Sequence, residues 1–102
     1  MSKWADYLIF KVCKDEKNII KEVAVKQDKG EKLSSEEEYY SKSEVINLIT
    51  KGHSFMTIFK GDNGWKQGKE VIIVTRNGKK YLKTERNEVE EDNLGKLPEY
   101  NC

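Results

Sequence analysis

The sequence contains little of what most enzymes and membrane proteins need. It has one histidine, two cysteines and one proline among its 102 residues. An active centre usually combines a nucleophile, an acid or base and a group that holds developing charge. No apolar run approaches the ~18 residues of a membrane helix, and Asp6 and Lys11 interrupt the N-terminal apolar stretch before it reaches the length of a secretory signal. We expect a cytoplasmic protein with no membrane partner.

A dominant charge is also missing. Nineteen basic and 18 acidic side chains leave a formal net charge of +1, so global charge favours no particular partner. Charged and apolar residues each make up 36% of the chain, and the apolar ones are concentrated in runs, as in a folded protein. The length fits a single domain, residues 1–102, with one modest core.

The two cysteines, Cys13 and Cys102, lie near opposite ends of the chain. They have no C-x-x-C spacing and too few companions for a zinc site. We expect two free thiols in a reducing compartment, Cys13 on a strand and Cys102 at a frayed terminus.

Two runs near the N-terminus predict a β-hairpin. Residues 7–13 are rich in aromatic and β-branched types, and residues 19–26 follow a polar turn. The predicted core-facing positions are Leu8, Phe10 and Val12 in the first strand and Ile19, Val23 and Val25 in the second. The polar stretch that follows leaves room for a short edge strand at residues 38–40.

A single helix is predicted after that loop. Ser41 and Glu44 have the spacing of a capping box, in which each side chain accepts a hydrogen bond from the backbone amide of the other. Val45, Leu48 and Ile49 recur at helical spacing, and Gly52 suits the left-handed position that ends a helix. This helix has one apolar face, so it should pack on a sheet.

The clearest local signal is Asn77-Gly78 between two strand-like runs, because both residues tolerate the positive φ of a type I′ turn. This turn places Val74 opposite Tyr81 and Ile73 opposite Leu82. Both faces of the hairpin then carry apolar groups, which favours a strongly curved sheet or one covered on part of its second side.

The predicted fold is therefore α+β: a small, curved, mainly antiparallel sheet of two hairpins and one further strand, with one packed helix. Residues 55–59 supply the further strand, in a three-stranded meander that ends in the Asn77-Gly78 hairpin. Residues 87–102 are predicted to be an irregular acidic C-terminal arm.

Several landmarks in this order resemble a family of short bacterial proteins known as domain of unknown function 3892. They are residues 5–9 (Ala-Asp-Tyr-Leu-Ile), the capped helix, residues 55–59 (Phe-Met-Thr-Ile-Phe), Trp65-x-x-Gly68-x-x-Val71, Asn77-Gly78-x-x-Tyr81-Leu82 and residues 92–98 (Asp-Asn-Leu-Gly-Lys-Leu-Pro). The resemblance spans nearly the whole chain and implies a stand-alone bacterial domain. It implies no activity, cofactor or functional residue.

Candidate chemistry is sparse. His53 follows the helix beside Ser54, and a surface histidine is a better interpretation than a catalytic one. Residues 61–64 offer one carboxylate, too few oxygen ligands for calcium, and no phosphate-binding glycine motif is present. We expect no catalytic residues, no metal and no cofactor.

One local charge asymmetry suggests a binding surface. Residues 60–86 hold eight basic side chains against three acidic ones, and a basic β-ribbon with interleaved aromatics can neutralise phosphates and stack bases. The candidate nucleic-acid-binding residues are Arg76, Lys79, Lys83, Tyr81 and Trp65. Lysines on a hairpin also protect exposed strands from aggregation, and the acidic arm could fold back over them.

We predict a non-enzymatic binding or regulatory module; the sequence does not identify its partner, for which nucleic acid and protein are the candidates. A nucleic-acid-binding β-hairpin domain is the first alternative. A small-molecule binder that uses a cleft between helix and sheet, or a minor enzyme built on His53, is the further one.

Overall fold

The computed structural model describes residues 4–17, 19–28, 37–62, 64–84, 94 and 97–102. The described elements are β1 (Tyr7–Lys14), β2 (Ile20–Gln27), β3 (Glu38–Ser41), α1 (Lys42–Thr50), β4 (Phe55–Gly61), β5 (Gly64–Glu70), β6 (Ile72–Arg76) and β7 (Lys79–Lys83). One sheet has five strands in the order β3-β2-β1-β4-β5, and β6 and β7 form a second sheet of two strands. The described residues thus form a small α+β domain with one helix.

The large sheet is mixed, which corrects the predicted meander. β4 runs parallel to β1, with Tyr7 opposite Phe55, and antiparallel to β5. The Asn77-Gly78 hairpin stands apart from this sheet, so the described chain has three hairpins rather than two. β5 escapes sequence analysis because its composition, Gly-Trp-Lys-Gln-Gly-Lys-Glu, lacks the β-branched residues that mark a strand.

A β-bulge in β1 changes which residues face the core. Ile9 lies opposite Val25 and Lys11 lies opposite Ala24, so Phe10 is the extra residue. A bulge shifts the alternation of side chains by one position. Leu8 and Phe10 therefore share one face, as predicted, whereas Val12 joins Ile9 on the other. In β2, Ile20 takes the core position predicted for Ile19, which precedes the strand.

The helix α1 forms as its sequence predicts. The Glu44 amide donates to Ser41 Oγ at 3.2 Å, and the Ser41 amide donates to Glu44 Oε1 at 3.0 Å. Gly52 has a φ of 103°, and its amide and that of His53 cap the last turn. Val45 is fully buried, and Leu48 and Ile49 pack partly buried against the core. Within the part of the chain that the structure describes, no helix is long and apolar enough to span a membrane.

The large sheet has an apolar cluster on each of its two faces. The helix-side core contains Ile9, Val12, Ile20, Val23, Val25, Val45, Phe55, Val71, Leu82 and Leu94. The outer core contains Ala5, Leu8, Phe10, Ala24 and Ile58, with Met56, Trp65 and Tyr100 packed against it.

The cysteines are joined, and the prediction of two free thiols is wrong. Cys13 and Cys102 form a disulfide with their Cα atoms 6.1 Å apart, across a sequence separation of 89 residues. The chain end is also not frayed, because Glu99 forms a parallel bridge with Val12. Spacing along the sequence could not reveal this return to β1. Most of the predicted acidic arm lies outside the described residues.

Candidate binding surfaces on two hairpins

The structure confirms the register of the β6–β7 hairpin. Asn77 and Gly78 have φ angles of 51° and 79°, as a type I′ turn requires. Arg76 lies opposite Lys79, and Val74 lies opposite Tyr81. Two of the predicted binding residues, Arg76 and Lys79, are thus neighbours at the end of this hairpin.

The other two predicted residues on this hairpin are buried. Tyr81 is 5% exposed and Lys83 is 0% exposed, so neither has the accessible surface that stacking on a base or contact with a phosphate needs. The Lys42 ammonium at the start of α1 lies 5.2 Å from the centre of the Tyr81 ring, while Leu82 on the opposite face enters the helix-side core. Tyr81, Leu82 and Lys83 are buried, whereas Lys79 and Lys80 beside the turn are exposed, so Lys83 does not share an exposed patch with Lys79.

Trp65 belongs to a different surface. It lies on β5, half-buried, with its ring centre 5.5 Å from that of Phe10 in an edge-on arrangement. The Lys26 ammonium lies 5.5 Å from the Phe10 ring and 5.9 Å from the Trp65 ring. The five predicted residues therefore do not converge: they divide between the β6–β7 hairpin and the outer core.

The hairpin formed by β4 and β5 is more exposed. Phe59 lies opposite Lys66, and Lys60 lies opposite Trp65. Phe59 is 45% exposed, and both lysines are exposed. Adjacent strand positions point to opposite faces, so each face of the hairpin presents one aromatic ring beside one lysine. We call these four residues the β4–β5 ribbon.

The predicted binding residues include Trp65 but not Phe59, and Lys60 and Lys66 were predicted only as members of the basic stretch 60–86. The available signal was the turn at residues 61–64 with a tryptophan directly after it, which predicts a returning strand. Asp62 lies in this turn and Glu70 ends β5, so the hairpin as a whole has mixed charge, whereas both charged residues of the β4–β5 ribbon are lysines.

His53 lies near a carboxylate, although both groups face solvent. Its Nδ1 is 3.6 Å from Asp6 Oδ2, and the two side chains are 45% and 38% exposed. Asp6 also exchanges hydrogen bonds with Ser54: the Asp6 amide donates to Ser54 Oγ at 2.9 Å, and the Ser54 amide donates to Asp6 Oδ2 at 3.2 Å. These bonds tie the residue before β1 to the residue before β4.

Metal ligands do not cluster in the described residues, where no group of three or more histidine, cysteine, aspartate or glutamate side chains could hold an ion. On the β4–β5 ribbon, the structure places exposed ammonium groups beside aromatic rings.

In the described residues, a mixed five-stranded sheet, a separate two-stranded sheet and one helix define a small α+β domain. Residues 9–98 match the family described as a protein of unknown function, DUF3892, and the chain belongs to that family. No curated protein and no solved structure matches the chain.

Proposed function

We propose that this protein is a non-enzymatic binding module and that its β4–β5 ribbon contacts single-stranded nucleic acid. The observation that carries the proposal is the pairing of an exposed or half-exposed ring with a lysine on each face of the ribbon, Phe59 with Lys66 and Trp65 with Lys60. Aromatic rings stack on bases of any sequence, at about 1–3 kcal/mol per base, and lysines neutralise phosphates.

Trp65 is fixed in place before any ligand arrives. Phe10 contacts it edge-on, and Lys26 lies within 6 Å of both rings. A ring held by its neighbours loses little side-chain freedom on binding, which favours affinity. Lys26 also places a positive charge beside the Trp65 ring. This charge would attract the phosphate next to a base stacked on that ring.

A protein partner is the second candidate, and the exposed Phe59 favours it. Phe59 lies on β4 beside the edge strand β5, and an edge strand presents backbone groups that can pair with another chain. The predicted cytoplasmic location stays a prediction, and the Cys13–Cys102 disulfide weighs against it, because disulfides persist mainly in oxidising compartments.

The test compares two charge-matched variants. Lys60→Glu/Lys66→Glu changes the β4–β5 ribbon, and Lys79→Glu/Lys80→Glu makes the same change in net charge on the β6–β7 hairpin. Binding to a fluorescent oligothymidine is measured by anisotropy at about 50 mM salt, where non-specific electrostatic affinity is easiest to see. We expect the ribbon variant to bind at least about tenfold more weakly, and its salt slope to flatten by roughly 0.7 for each phosphate that it no longer neutralises. The hairpin variant should bind within about twofold of wild type, since a surface charge at a distance acts weakly.

Stacking can be followed directly at Trp65. The chain has two tryptophans, so a Trp4→Phe background leaves Trp65 as the single reporter, and its fluorescence should be quenched on titration with the oligonucleotide. An equal fall in affinity in both charge variants would show that the ribbon is not the site. Absence of binding by the wild type would contradict the proposal and leave the protein-partner candidate.

A further inference from the structure

The C-terminal residues 98–102, which we call the strap, complete an edge of β1 that β4 leaves open. β4 pairs with β1 only from Tyr7 to Ile9. Further along, Val12 forms a parallel bridge with Glu99 on that same side of the strand. The strap thus occupies the edge of β1 beyond the point where β4 departs.

Among the described residues, the non-covalent interactions of the strap centre on Val12 and Tyr100, whose ring also lies edge-on to that of Tyr39 at 5.9 Å. The Val12 amide donates to the Pro98 carbonyl at 3.0 Å, and the Tyr100 amide donates to the Val12 carbonyl at 3.0 Å. The Tyr100 hydroxyl donates to Glu22 Oε1 at 2.9 Å, and its ring packs against the outer core. Burial, and after it the hydrogen bond to Glu22, raises the pKa of Tyr100.

The two cysteines are unequally accessible. Cys13 is 4% exposed within β1, whereas Cys102 at the end of the strap is exposed. A thiolate can therefore reach the bond from the Cys102 side. Once the bond is cut, the strap is held beside Val12 by its non-covalent interactions and by its connection to the anchored Leu97.

We propose that the Cys13–Cys102 disulfide is a thiol-responsive latch, whose reduction releases the strap and uncovers the backbone edge of β1 at Val12. The thiolate of a low-molecular-mass thiol attacks Cys102 Sγ, and Cys13 leaves as a thiolate that takes a proton from water. A second thiol then attacks the mixed disulfide, which frees the Cys102 thiol and yields the disulfide of the reagent. Two reagent thiols are oxidised and one protein disulfide is reduced.

When the strap is released, it moves about residue 97. Leu97 packs against the helix-side core and Leu94 is buried in it, so both remain anchored when the strap moves. Pro98, which follows directly, has a fixed φ and gives the strap a defined point of departure. The inference concerns β1 and does not depend on nucleic-acid binding at the β4–β5 ribbon.

Amide hydrogen exchange tests the latch in the full chain. The Val12 and Tyr100 amides are followed in the oxidised protein and after incubation with dithiothreitol. We expect their protection to fall by about 100-fold or more on reduction, as in local rather than global opening. The Lys51 amide in the helix cap and the Val71 amide, which donates to Phe55, should keep their protection.

Two variants complete the design. Cys13→Ser/Cys102→Ser should exchange at Val12 and Tyr100 like the reduced protein, without any reagent. Tyr100→Phe removes the bond to Glu22 but keeps the disulfide, so its strap should stay protected under oxidising conditions.

Three results would overturn the proposal. Unchanged protection of Val12 and Tyr100 after reduction would mean that non-covalent interactions suffice to hold the strap. Loss of protection at all four amides together would make the disulfide a support of the whole fold. Two titratable thiols in the native, unreduced protein would remove the latch altogether.

Discussion

The β6–β7 and β4–β5 hairpins contrast in both their sequence signal and their environment. The β6–β7 hairpin has a strong turn signal at Asn77-Gly78, yet its aromatic residue Tyr81 and its lysine Lys83 are buried. The β4–β5 hairpin has a weak signal and a polar second strand, yet it exposes Phe59. The hairpin that is easier to predict is the one whose aromatic ring and third lysine are buried.

The contrast follows from where the helix lies. α1 packs against β6, and Lys42 at its first turn lies over Tyr81. The Val71 amide donates to the Phe55 carbonyl at 2.8 Å, which fixes the start of β6 against the large sheet. Turn chemistry thus determines which residues pair, whereas long-range packing determines which face is covered.

The largest expected effect comes from truncating one apolar side chain in each hairpin. Leu82→Ala empties a fully buried position in the helix-side core and should lower the free energy of unfolding by about 2–5 kcal/mol. Phe59→Ala removes a larger side chain that is 45% exposed, and its cost should stay below about 1 kcal/mol. Urea denaturation of both variants and wild type under oxidising conditions gives the comparison.

Equal destabilisation by the two changes would mean that Phe59 has a covering partner in the folded protein. In that case the β4–β5 ribbon would lose its exposed ring, and the proposed stacking surface would be reduced to Trp65.

Local features of the fold were predictable. The capping box, the end of α1 at Gly52 and the register around Asn77-Gly78 are confirmed, because each depends on residues within four positions of one another. The short edge strand near residues 38–40 is confirmed as β3. Membership of the family is confirmed over residues 9–98.

Features set by distant residues were not predictable. The bulge at Phe10 depends on the partner strand, and the pairing of Cys13 with Cys102 depends on the return of the chain end to Val12. The burial of Lys83 likewise depends on what packs around β7. A single sequence gives the spacing of residues along the chain, and that spacing does not show which distant residues meet in the fold.

Gly68 in β5 and Gly78 in the β6–β7 turn are required for different physical reasons, which substitutions can distinguish. An ideal Cβ at Gly68 would lie 2.3 Å from Thr57 Oγ1 and 2.6 Å from the Thr57 carbonyl oxygen, so Gly68→Ala should push β4 and β5 apart and cost about 1–3 kcal/mol. Gly78 has open space around it but a φ of 79°, so Gly78→Ala should cost about 1–2 kcal/mol through backbone strain.

Asparagine substitutions distinguish steric overlap at Gly68 from backbone strain at Gly78. Asparagine tolerates positive φ, so Gly78→Asn should be more stable than Gly78→Ala. At Gly68 the obstacle is steric, and Gly68→Asn should be no better than Gly68→Ala. Thermal melts of the four variants provide the ranking, and a gain from asparagine at both positions would contradict the steric explanation.

The smallest expected effect on stability compares the buried Lys83 with the exposed Lys79. Lys83→Ala removes a buried aliphatic chain and should cost about 1 kcal/mol, whereas Lys79→Ala at an exposed position should stay within about 0.5 kcal/mol of wild type. Lys83→Met keeps most of the chain without its charge, so recovery of stability in this variant would assign the role of Lys83 to packing. If Lys83→Met is as unstable as Lys83→Ala, the ammonium group itself supports β7. If neither variant is destabilised, Lys83 is available to solvent, and the patch of Arg76, Lys79 and Lys83 becomes a candidate surface again.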